Sequence, residues 1–139
     1  MRSELDDLEI IRKCFLKNIP GIKFKAFNFN LGIRKVDLLF EIPSEEEVKY
    51  SGEAKPRLIF VEVTKISREG STRQLLTALG QILYIKEYER EFIKFDHAFE
   101  CWVAFVYRGV DPHPHICKLY RKHKIALVGI DNCNFIDYA

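Results

Sequence analysis

The chain has 139 residues, 47% of them apolar and 13% aromatic, with a formal net charge of +2. A chain of this length makes one domain and buries roughly two-thirds of the surface its unfolded form exposes; its composition excludes the disordered and collagen-like classes. Near-neutrality excludes bulk basicity as a reason to bind nucleic acid, so any polyanion contact must come from a local patch.

The opening segment, MRSELDDLEIIRKCF, is acidic early and amphipathic, unlike the basic start and continuous apolar middle of a signal peptide. Ser3 is a candidate N-cap, and Leu5, Leu8, Ile11 and Phe15 recur at helical spacing, which predicts a helix over residues 4–18 that Pro20 and Gly21 stop. In IKFKAFNFNL, Ile22, Phe24 and Ala26 alternate with lysines, but from Phe27 the apolar set slips by one residue. A strand with a bulge near Ala26 and Phe27 accounts for the slip.

After Gly32, VDLLFEI (36–42) reads as a second strand, and the polar, turn-rich stretch 43–57 as a long hairpin connection. LIFVEVT (58–64) shows almost no alternation, which predicts a strand buried on both faces at the centre of a sheet. Ser71 is placed to cap a long helix from Thr72 to Phe92. CWVAFVY (101–107) and KIALVGI (124–130) read as a fourth and a fifth strand around a short helix within 111–123. The resulting order, αβββαβαβ, implies an α/β fold with a mixed central sheet flanked by helices, and residues 1–139 are expected to form a single domain.

Two acids stand inside apolar strands: Asp37 in KVDLLFEI and Glu62 in LIFVEVTK. An unpaired buried carboxylate costs several kcal/mol, so each must leave the core or find a cation. If consecutive strands bring both to one place, they offer the oxygen ligands that Mg²⁺ or Mn²⁺ takes, with water and phosphate oxygens completing the shell. Strand alternation puts Glu62 and Thr64 on one face and Val63 and Lys65 on the other. Arg68 and Arg73 lie on the loop and helix start after Glu62, where guanidinium groups and a helix N-terminus suit phosphate, although both can equally pair with Glu69.

Asp37, then EVTK at 62–65, then a helix reading QLLTALGQILYIKEY resembles the PD-(D/E)XK nuclease superfamily, particularly its RecB-like and archaeal-virus members. The resemblance covers roughly residues 4–130 and implies a restriction-endonuclease-like core. It implies that Asp37 and Glu62 hold Mg²⁺ or Mn²⁺ and that Gln81 contacts water, ligand or DNA, with Glu9 or Glu4 as a further acid from the first helix. The implied activity is metal-dependent hydrolysis of DNA phosphodiester bonds. The motif lysine, two residues after the acid, is Thr64 here, with Lys65 one position late. A bulge turning Lys65 inward, a basic residue from elsewhere such as Lys35 or Arg73, or the metal itself would compensate; otherwise the chain is an inactive DNA-binding or assembly module.

The remaining signals are weaker. The cysteines (Cys14, Cys101, Cys117, Cys133) form no CxxC pair and read as free thiols, the alternative being one incidental disulfide. His113 and His115 in DPHPHIC read as a loop entering a helix rather than a zinc site, and KLYRKHK (118–124) as a basic cluster that touches phosphate or merely solvates the helix. No apolar run approaches the roughly 20 residues a membrane helix needs, so a cytoplasmic protein is expected. Tyr84, Tyr88, Phe92 and Phe95 are candidates for a homodimer interface or for the core.

Overall fold

A computed structural model describes residues 4–31, 34–43, 56–92 and 99–139. The elements run α1 (Glu4–Asn18), β1 (Lys23–Asn30), β2 (Lys35–Pro43), β3 (Pro56–Val63), α2 (Ser71–Phe92), β4 (Phe99–Val106), α3 (Pro114–Lys122), β5 (Ala126–Asp131) and β6 (Asn134–Asp137). Among the described residues, six strands form one mixed sheet in the order β1-β2-β3-β4-β5-β6. The first three are antiparallel neighbours, β3, β4 and β5 run parallel, and β6 returns antiparallel to β5.

The predicted mixed sheet flanked by helices is what the chain forms, with three corrections. Strand β6 was not expected, because NFID is short and its alternation too brief to register, so the order ends αββ rather than αβ. The irregularity in β1 falls between Phe24 and Ala26, one residue earlier than the slip in the sequence suggested. Ser71 opens α2 instead of capping it: the Gly70 carbonyl accepts the first helical bond, from Gln74 N at 2.9 Å. A Cβ on Gly70 would lie 3.1 Å from Ser67 Oγ, so glycine suits that cap. Ser3 and most of the 43–57 connection lie outside the described residues.

The sheet separates two apolar layers. Leu39, Phe60, Val103, Phe105 and Leu127 face α2 and α3, whereas Leu38, Phe40, Val61, Ala104 and Val128 face α1. Strand β3 is buried on both sides from Ile59 to Val63, as its lack of alternation predicted. Tyr120 ties the two helices of one layer together through its hydroxyl, which donates to Leu75 O at 2.6 Å. In the other layer, Phe15 of α1 stacks on Phe40 with centroids 4.9 Å apart. Among the described residues, no helix is long and apolar enough to cross a membrane.

Helix α1 is also fastened to the β5–β6 turn. The Cys133 carbonyl accepts from Cys14 Sγ at 3.2 Å and from Asn18 Nδ2 at 2.7 Å. Asn132 and Cys133 both have positive φ, 47° and 62°, in a two-residue hairpin loop, the type I′ geometry that favours Asn followed by Gly. A cysteine in that second position is strained; its carbonyl accepts both hydrogen bonds from α1, and its half-buried side chain packs at the edge of the α1 layer. Cys133→Gly should therefore stabilise the protein by about 1 kcal/mol, read as a higher urea midpoint; a lower midpoint would show that the thiol contributes packing that outweighs the strain.

Burial pushes the Cys14 thiol up from 9.0 to about 11. The folded state then retains a proton that the unfolded chain releases, so this contribution to stability is complete below pH 9 and is lost as pH rises towards 11. Denaturation curves of the wild type should show that decline more steeply than those of Cys14→Ala, and identical pH profiles would contradict it.

Candidate active site

In a sheet of this kind the C-terminal ends of the parallel strands form the edge where ligands bind. The N-terminal end of β2, antiparallel to β3, arrives at the same edge, as do the loop after β3 and the start of α2. Both acids singled out in the sequence lie there.

The β2–β3 ladder is regular from Pro43 opposite Pro56 down to Leu38 opposite Val61. One more step would oppose Asp37 to Glu62, and the next would give the Val63 N–H the carbonyl of Val36. Neither pair forms. Instead Asp37 Oδ2 accepts a hydrogen bond from Val63 N at 2.7 Å. Side-chain alternation breaks at the same point: Leu38 and Phe40 pack with the α1 layer, and Val36, which should follow them, packs with the α2 layer. The Asp37 carboxylate thus ends the ladder by taking the place of a main-chain carbonyl, and it rests against the peptide unit that joins Glu62 to Val63.

Glu62 pairs with Val103 across β3 and β4, which sets its side chain on the α2 face. It is only 6% exposed, one of two buried acids among the described residues. Arg34 reaches it, with Nη2 at 3.4 Å from Oε1. This is the basic residue that sequence reasoning missed; Lys35 and Arg73, proposed for such a role, are exposed at the same edge. Arg34 stands outside any motif; its carbonyl accepts from Leu31 N at 2.9 Å, and the only signal for it was its position just before Asp37.

The motif position after Glu62 is quiet. Thr64 N donates to Ala104 O at 3.0 Å, and the Thr64 hydroxyl lies 3.4 Å from Lys65 O. The β3–β4 ladder carries no register shift through Val63, and Lys65 beyond it is exposed. Arg68 and Arg73 are exposed, and among the described residues neither forms an ion pair. Lys35 and Lys65 are likewise exposed, while Arg34 is in contact with Glu62, one acid of the pair.

Gln81 lies half-buried on α2, one heptad from Gln74, on the flank of the stripe formed by Leu75, Ala78, Ile82 and Ile85. Gln74, unremarked in the sequence, braces the loop after β3: its Oε1 accepts from Ser67 N at 2.7 Å. Glu9 is engaged along its own helix by Arg12 and Lys13, and the Arg12 hydrogen bond holds its carboxyl below the usual range. The Glu4 side chain lies outside the described residues. The buried acid of α1 is Asp7, fully enclosed and held by both prongs of Arg108, at 2.7 Å and 3.2 Å. His113 caps α3 by accepting from His115 N at 3.1 Å.

Among the described residues, no three His, Cys, Asp or Glu side chains cluster around a point. Two carboxylates from adjoining strands suit a hard ion that keeps waters and takes substrate oxygens, and do not suit a closed zinc site. The fit rests on Asp37, fixed against the main chain beside a buried Glu62.

Replacing Asp37 by alanine leaves the Val63 N–H without its acceptor and should cost about 1–3 kcal/mol. Asp37→Asn keeps an acceptor oxygen and should cost less than about 1 kcal/mol. Urea denaturation of the two variants measures the difference; equal losses would show that the bond to Val63 does not support the fold.

No protein-family profile and no curated protein matches this chain. Among solved structures, EndoMS in complex with double-stranded DNA aligns with a TM-score of 0.49 at 11% identity, over 90% of this chain and 44% of the other. SfsA of Pyrococcus furiosus in complex with Ca²⁺ aligns with a TM-score of 0.46 at 16% identity, over 93% of this chain and 58% of the other. The chain spans about half the length of these solved chains.

Proposed function

We propose that this chain is a metal-dependent DNA nuclease of the PD-(D/E)XK type, forming one domain over residues 1–139, in which Asp37 and Glu62 hold Mg²⁺ or Mn²⁺. The observation that carries the reading is the Asp37 carboxylate docked on Val63 N, beside the buried Glu62, at the ligand-binding edge of the sheet. Bound there, a hard divalent ion supplies Lewis acidity and lowers the pKa of water. The chain's own contribution is position. Asp37 is oriented by the main chain, Glu62 is fixed in a central strand, and Gln81 on the adjoining helix is available to orient water or phosphate. Lys35, Lys65, Arg68 and Arg73 supply the charge that attracts a polyanion to this edge, so binding should weaken steeply with salt.

A second reading, a DNA-binding or assembly module without catalysis, is favoured by Thr64, a neutral residue where the family motif has its lysine.

Purified protein incubated with supercoiled plasmid, single-stranded DNA and a branched junction, in Mg²⁺, Mn²⁺ or EDTA, separates the two. The nuclease reading predicts cutting that requires the metal and falls at least about 100-fold in Asp37→Asn and Glu62→Gln. Metal-independent retention of DNA without cutting would transfer the assignment to the binding module, and neither binding nor cutting would remove both.

A further inference from the structure

Two carboxylates are buried in this protein among the described residues, and each meets an arginine. The grips differ. Arg108 holds Asp7 with two hydrogen bonds, the shorter at 2.7 Å, in the bidentate manner of a fixed structural pair. Arg34 touches Glu62 with a single prong at 3.4 Å, well beyond the 2.7–2.9 Å usual for a charge-assisted bond. Arg34 is also about a third exposed, and its backbone, closed against Leu31, is held while the side chain is not enclosed. A guanidinium so placed neutralises a buried carboxylate and keeps most of its five donors for another acceptor.

Resting on the nuclease reading, we propose that Arg34 is a catalytic residue that supplies the positive charge absent at Thr64: it neutralises Glu62 while no divalent ion is bound, and turns its guanidinium to the scissile phosphate when the ion takes that carboxylate. The planar fork of arginine matches two phosphate oxygens, which suits it to stabilise charge that develops there during attack. Its location explains how a chain with threonine at the motif position retains a cation at the acid. The same placement makes Arg34 a competitor of the metal, since both are cations drawn to Glu62.

That competition gives the proposal opposite signs in two measurements. Calorimetric titration with Mn²⁺ alone should show severalfold tighter binding to Arg34→Met than to the wild type, because a competing cation is gone. Cutting of whichever plasmid, single strand or junction the wild type cuts should fall by roughly 100-fold in the same variant. Arg34→Lys should lie between the wild type and Arg34→Met in both assays, and thermal unfolding verifies that each variant is folded. Weaker or unchanged Mn²⁺ binding in folded Arg34→Met and Arg34→Lys, or undiminished cutting, overturns the proposal while leaving the nuclease reading intact. A wild type that neither binds Mn²⁺ nor cuts overturns both.

Discussion

The site depends on one hydrogen bond, from the Val63 amide to the Asp37 carboxylate. A strand amide at the end of a ladder needs an acceptor, and the nearest regular one would be the carbonyl of Val36. Giving that place to a side chain ends the pairing of β2 with β3, reverses the facing of Val36 and fixes a charged group against the main chain. An interior acid would otherwise be a liability of several kcal/mol. Here it terminates a strand pair and opens the sheet edge next to the second acid.

The two buried acids lie on opposite faces of the sheet and are held differently. Asp7 is enclosed and doubly bonded to Arg108, whose own pKa is raised by that hydrogen bond, and the pair joins α1 to the end of β4. Glu62 is nearly as enclosed, yet its arginine stands off by 3.4 Å with one nitrogen.

Most of the framework was legible because apolar periodicity is strong where packing is strong. The α1 pattern gave its helix to the residue, and the unbroken run in β3 announced a strand buried on both faces. β6 escaped because a four-residue strand with half-buried side chains offers too little pattern. The two acids were conspicuous, since charge inside an apolar strand demands a reason. Arg34 and Gln74 were not, because each acts across a turn or a long sequence separation: Arg34 meets Glu62 across 28 residues, and nothing local marks it. Asp7 drew no attention in the acidic opening segment, because its partner Arg108 lies 101 positions away.

We propose that the Asp37 and Glu62 carboxylates share one divalent ion. Anomalous diffraction from crystals grown with Mn²⁺ tests it most directly. A shared ion should give a single strong peak within coordination distance of both carboxylates, with Arg34 withdrawn from Glu62 and the Asp37 contact to Val63 preserved. Saturating Mn²⁺ with no peak at this edge, or a peak held by other side chains, would contradict it.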